Sequence, residues 1–191
     1  MSYSIAQHLK ETSATLARAS EATARAEEVA RKLSSALLSG HKLLVCGNGG
    51  SAADAQHFVA ELVGRFEKAR PGFPAVALTT DTSILTAIAN DFSYDEVFSR
   101  QVQAFAQKGD VVVGISTSGN SKSVILALEE AKRRGAWTAA LTGQTGGKMK
   151  PIVDCCVCVP ATRTAHIQEC HIALIHAICA CFDEDVAPAL A

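Results

Sequence analysis

The sequence carries no surplus of charge: 18 Lys and Arg stand against 19 Asp and Glu, a formal net charge of -1 at pH 7. Without a broad positive field the chain has little to hold a nucleic-acid backbone or an anionic membrane surface, so neither is expected as a partner and small-molecule chemistry is. C-x-x-C spacing occurs once, at Cys155 and Cys158, and a second such pair is missing. The seven cysteines, Cys46, Cys155, Cys156, Cys158, Cys170, Cys179 and Cys181, are odd in number and none is set for a zinc knuckle, so they read as buried thiols in a reducing compartment. Long apolar runs are absent too: the longest, Ile172 to Phe182, contains His176 and is too short to cross a bilayer. Met1 to Lys10 has neither the basic start nor the apolar stretch of a secretory signal, and the expected location is the cytoplasm.

What is there suffices for a core. Hydrophobic residues make up 48% of 191 residues and charged residues 19%, which fits one domain spanning 1-191. Ser4 to Leu38 holds neither Gly nor Pro, and Leu9, Leu16, Val29, Leu33 and Leu37 recur at helical spacing, so residues 1-40 read as one or two N-terminal helices ended by Gly40. Residues 41-191 alternate differently. Apolar runs at Leu43 to Cys46, Ala75 to Leu78, Val111 to Ile115, Ala136 to Leu141 and Cys155 to Val159 are separated by segments long enough for crossover helices. This predicts an α/β fold: a three-layer α/β/α sandwich of about five parallel strands with an N-terminal helical extension.

In such a sheet ligands sit beyond the carboxyl ends of the strands. Gly47 to Ser51 follows the first run and opens a helix, an arrangement in which free N–H groups meet a phosphate or a hydroxyl-rich sugar; a plain turn needing glycine explains the same residues. Ser116, Thr117, Ser118 and Ser121 cluster before a helix beginning near Ser121, more hydroxyls than an N-cap needs, and predict a phosphate cradle. Gly47, Gly49 and Ala52 also match G-x-G-x-x-A, the weak mark of a dinucleotide site, for which Asp81 is the available ribose acid. A Walker loop is absent, since Met149 rather than Ser or Thr follows Lys148.

Two helices carry candidates for acid–base work. His57 and Glu61, four residues apart, share one helix face, as ligands of one group or as a solvated pair. Gln168, Glu169, His171 and His176 interrupt an otherwise apolar segment. At about 100° per residue Glu169 and His176 align, whereas Gln168 lies about 80° from His176, so helical geometry does not single out Gln168. A core histidine bonded to a backbone carbonyl is the plain alternative for His171 and, with less weight, for His176.

Taken together, the stretches Cys46 to Ser51, Gln56-His57-Phe58 with Glu61, Arg70 to Ala75, Ala89-Asn90-Asp91, Phe98 to Gln101, Ile115 to Ser121, and Ile167-Gln168-Glu169 with His176 resemble the phosphoheptose isomerases of the sugar isomerase (SIS) fold, over nearly the whole chain. The resemblance implies an aldose–ketose isomerase converting D-sedoheptulose 7-phosphate to D-glycero-D-manno-heptose 7-phosphate, the first step of ADP-heptose synthesis for the lipopolysaccharide core. It implies Glu61 and His176 as catalytic residues and His57, Glu61, Gln168 and His176 as ligands of one zinc ion. It implies substrate contacts at Asn48, Gly49, Gly50, Ser51, Glu61, Asn90, Asp91, Ser116, Thr117, Ser118, Ser121 and Gln168, and a homotetramer with the N-terminal helices serving association. One departure stands out: the commonly basic residue two before Gln168 is His166 here. Two rivals remain. A related non-catalytic SIS protein that binds the replication initiator DnaA shares the Gly-Asn-Gly loop but lacks counterparts of Glu61 and His176, and a nucleotide-linked dehydrogenase would use Gly47 to Ala52.

Overall fold

A computed structural model of the chain describes residues 4–187; residues 1–3 and 188–191, the two ends of the expected domain, lie outside the described residues, as does the side chain at 21. Two helices open the chain, α1 (Ile5–Arg18) and α2 (Thr23–Leu38), joined by a 3-10 turn at Ala19–Ala22. Ser4 caps α1 by accepting from the Gln7 amide. Gly40, at φ +82°, ends α2: its N–H bonds the Leu37 carbonyl and that of His41 bonds Ala36, a closing turn that only a left-handed residue makes without strain.

Five strands follow, β1 (Leu43–Gly47), β2 (Ala75–Ala77), β3 (Val111–Ser116), β4 (Trp137–Thr142) and β5 (Cys155–Cys158). They form one parallel sheet in the order β2-β1-β3-β4-β5. Crossover helices α3 (Gly50–Val63), α4 (Thr82–Asp91), α5 (Ser99–Phe105) and α6 (Lys122–Arg133) connect them, and α7 (Thr164–Val186) closes the chain. Strand side chains alternate between two cores. Leu43, Val45, Val111 and Val113 pack with α2, α3 and α7, while Leu44, Cys46, Val112 and Ala140 pack with α5 and α6. Both faces are therefore covered, and each fully buried leucine, such as Leu43 or Leu44, contributes about 1.5–3 kcal/mol.

Three expectations change. Val29, Leu33 and Leu37 are core residues, but Leu9 and Leu16 are 61% and 40% exposed, because α1 packs on α7 with its other side. Cys46, Cys155, Cys170 and Cys179 are buried free thiols, whereas Cys156 and Cys158 are half-buried and Cys181 is exposed. Finally, α7 runs 23 residues and is long and apolar enough to cross a bilayer by composition; half of its most apolar window is buried inside the fold, as in a core helix.

Candidate active site

The chain leaves β1 toward β2 on one side and returns to β3 on the other, so the loops after β1 and β3 part at the topological switch point, where open α/β sheets leave room for a ligand. The first holds Asn48, Gly49 and Gly50, the second Ser116 to Ser121. Neither helix that follows is capped by a side chain: the caps of α3 and α6 are Gly49, at φ +58°, and Ser121, whose hydroxyl makes no bond to its own helix. Instead Ser121 Oγ lies 3.0 Å from Ser116 Oγ. The N–H groups of Ser51, Ala52 and Val124 turn back to the carbonyls of Asn48, Gly49 and Ser121, which leaves those of Gly50, Lys122 and Ser123 to meet an anion. The loops are also tied together: Asn48 Nδ2 donates to Ser123 Oγ at 3.0 Å, and its Oδ1 accepts from the Tyr94 hydroxyl at 2.7 Å.

Gly119 is required twice over. Its φ is +65°, and a Cβ there would collide with the Gly146 carbonyl, which crosses against it. Met149 N–H bonds the Gly119 carbonyl and Lys148 N–H bonds Asn120 Oδ1, so the segment after β4 braces the hydroxyl loop from behind. Asp81, the acid a dinucleotide site would need, is spent as the cap of α4, accepting from Ile84 N–H at 2.9 Å.

Beside the switch point α3 and α7 bring together His57, Glu61 and His176. His57 Nε2 lies 2.9 Å from Glu61 Oε1 and 3.1 Å from His176 Nε2, and the three donor atoms lie within 4.8 Å of one another. Phe66 stacks on the His176 ring at 5.7 Å. The helices run the same way: Gln168 packs its amide on Gly50, where a Cβ would strike it, and His176, two turns on, meets His57, two turns along α3. Arg70 fixes the end of α3, donating to the carbonyls of Glu61 and Leu62 at 2.7 and 2.9 Å. One turn before His57, Asp54 has a buried oxygen without a hydrogen-bond partner among the described residues, and burial lifts its carboxyl to about 6 against the pull of His57.

Two imidazole nitrogens facing each other at 3.1 Å need a shared proton or a cation between them. Ligand atoms on tetrahedral zinc stand about 3.3 Å apart, so His57, Glu61 and His176 fit such an ion.

Other expected residues lie apart from this trio. Asn90 and Asp91 end α4, exposed and bonded to each other at 2.8 Å; the turn after them supplies Tyr94. Ser51 is buried in the first turn of α3, and the Thr117 carbonyl accepts from Gly143 N–H. His171 is the core histidine, its Nε2 on the Thr142 carbonyl at 3.2 Å. Glu169 shares a stripe with His176 but sits about 10 Å earlier on α7 and faces α1. Sequence reasoning missed the partners it finds there, His8 and Thr12; the signal was the presence of polar residues in an apolar helix.

The SIS domain family model matches residues 7–143, from α1 to just past β4. The chain therefore belongs to the SIS domain family. Phosphoheptose isomerase of Geobacter metallireducens is 60% identical over 83% of this chain and 84% of that protein. Two solved phosphoheptose isomerase structures superpose on it, that from Neisseria gonorrhoeae at 48% identity and TM-score 0.89, covering 94% of this chain and 97% of that one, and that from Francisella tularensis at 34% and 0.91, covering 94% and 96%. Within its family the chain stands among the phosphoheptose isomerases.

Proposed function

We propose that the chain isomerises D-sedoheptulose 7-phosphate to D-glycero-D-manno-heptose 7-phosphate through an enediol. The observation that carries this is the meeting of Glu61 and His176, 115 positions apart, within 4.8 Å between α3 and α7, the helices that hold Gly50 and Gln168. Aldose–ketose conversion removes a proton beside a carbonyl and returns it to the neighbouring carbon, so it needs a base and a proton carrier in one place. Glu61 takes the carbon-bound proton, and its position is held by Arg70 at the end of α3. His176 moves the proton between the two oxygens, its ring in contact with those of His57 and Phe66.

The phosphate sits at the uncapped start of α6 among Ser116, Thr117, Ser118 and Ser121, and the sugar hydroxyls lie along Asn48, Gly49, Gly50 and Ser51 with Gln168 above them. Asn90 and Asp91 complete the contacts carried by the resemblance. His57, Glu61 and His176, with Gln168 as fourth donor, would hold zinc, which when bound supplies Lewis acidity toward a carbonyl oxygen. The exposed stripe of Ile5, at 82%, and Leu9 on α1 supports assembly through the N-terminal helices into a tetramer, in the cytoplasm.

Turnover of sedoheptulose 7-phosphate by the purified chain tests the reading. Glu61→Gln should lower kcat by about 10²–10⁴ while the protein stays folded. A wild-type chain that fails to turn over this sugar, yet binds the replication initiator, would instead favour the non-catalytic relative.

A further inference from the structure

Where α1 crosses the start of α7, a second cluster repeats the donor set of the first. The Glu169 carboxylate divides its oxygens between two imidazoles: Oε1 lies 2.5 Å from His8 Nε2, and Oε2 lies 3.1 Å from His166 Nδ1. The three donor atoms lie within 4.8 Å of one another, as do those of His57, Glu61 and His176. Separations near the 3.3 Å or so expected on tetrahedral zinc mean that small side-chain shifts close them on one ion.

The surroundings are those of a metal-binding histidine. His166 is 5% exposed, and its second nitrogen, Nε2, lies 3.2 Å from Glu11 Oε2. A carboxylate on the remote nitrogen fixes the tautomer and aims the lone pair of the other nitrogen at the ion. With Nε2–H given to Glu11, the Nδ1 lone pair faces a carboxylate oxygen, which is repulsive unless something positive stands between. The Thr12 hydroxyl, 2.6 Å from Glu169 Oε2 and 3.1 Å from His166 Nδ1, has one proton and cannot serve both. Arg163 lies on the other side of the ring, 3.4 Å from Nε2. A cavity of about 740 Å³, lined by Glu11, Thr15, Arg163 and His166 among others, opens beside this Nε2 side of the ring.

We infer that His8, His166 and Glu169 form a second zinc site, its fourth position taken by solvent, that clips α1 to α7 without touching substrate. Two imidazoles and one carboxylate suit zinc and its transition-metal neighbours rather than magnesium or calcium. Two metal-free arrangements compete, a protonated His166 shared by Glu11 and Glu169 and a neutral His166 that accepts from Arg163 on Nε2 and donates Nδ1–H to Glu169, and the experiment separates both from the zinc site.

The full chain carrying His57→Ala and His176→Ala empties the first trio, with folding checked by circular dichroism. After chelation and desalting, zinc is titrated and counted by mass spectrometry. The expected result is one equivalent in this variant against two in the wild type, with Tm rising about 5–10 °C at hundredfold excess over Kd. Adding His8→Ala, at a partly exposed position, should remove both the equivalent and the shift. Cobalt in place of zinc should show ligand-field bands without a thiolate charge-transfer band, which excludes the cysteines. A double variant that binds no zinc, or an equivalent that survives both His8→Ala and His166→Gln, would overturn the site. Neither outcome bears on the isomerase reading, which turnover of sedoheptulose 7-phosphate decides separately.

Discussion

Arg70 Nε and Asp183 Oδ1 form an ion pair of 2.7 Å with both side chains 2% exposed. The other Asp183 oxygen accepts from the amides of Glu67 and Lys68 at 3.0 and 2.9 Å, and the guanidinium goes on to the carbonyls at the end of α3. Burial raises the Asp183 carboxyl, but the Arg70 hydrogen bond and those two amides outweigh it and hold the group below its ordinary range. The pair thus joins α7, the loop after α3 and the Glu61 turn.

Arg70→Met should cost about 3–5 kcal/mol in urea unfolding, since it strands a buried carboxylate and leaves two carbonyls without donors. Asp183→Asn, which can still accept from the two amides, should cost less. A change below about 1 kcal/mol for Arg70→Met would remove the pair from the account of stability.

His171 makes the fold sensitive to mild acid. Burial pushes its imidazole down to about 4, against the pull of the Thr142 carbonyl. With the unfolded value near 6.5, the unfolded chain binds the proton first, so this contribution is complete above pH 6.5 and is lost as pH falls toward 4. Between pH 7.5 and 5 the loss from this group should be about 2 kcal/mol. Urea midpoints at the two pH values should show a smaller drop for His171→Gln than for the wild type; equal drops would refute it.

Gly50→Ala separates binding from stability. Gly50 is helical, so the methyl carries no backbone penalty, and the atom it meets is the far end of a flexible amide. Stability should stay within about 1 kcal/mol. Displacing Gln168 from the sugar loop should raise KM about tenfold or more; an unchanged KM would take Gln168 out of the site.

Chelation should lower turnover and added zinc should restore it. His57→Ala should weaken the zinc that supports activity by more than about 100-fold, measured as the zinc concentration restoring half of the rate. Full activity after exhaustive chelation would show that Glu61 and His176 work without the ion.

The strands were legible because both faces are covered: Leu43 to Cys46 and Val111 to Ile115 are apolar without interruption, and each became a wholly buried strand. Leu9 and Leu16 mark the limit of the same reasoning. Periodicity says which residues share a helix face but not what covers it, and here the described chain covers them only in part. Among the site residues, the spacing of His57 and Glu61 was readable, and so was the oddity of His176 in an apolar helix. The Asn48–Ser123 bond was not, because it depends on β3 lying beside β1, a consequence of strand order. The meeting of His8 with Glu169, 161 positions away, likewise leaves no mark in local spacing.

Helix α7 has neither glycine nor proline between Thr164 and Val186. It carries Gln168 over the sugar loop, Glu169 toward α1 and His176 toward α3, so its angular phase is shared by three separate neighbours. Inserting or deleting one residue between Glu169 and His176 would turn one end against the other by about 100° and detach at least one of them. Between Glu169 and His176 the last helix can thus diversify by substitution but not by a change of length.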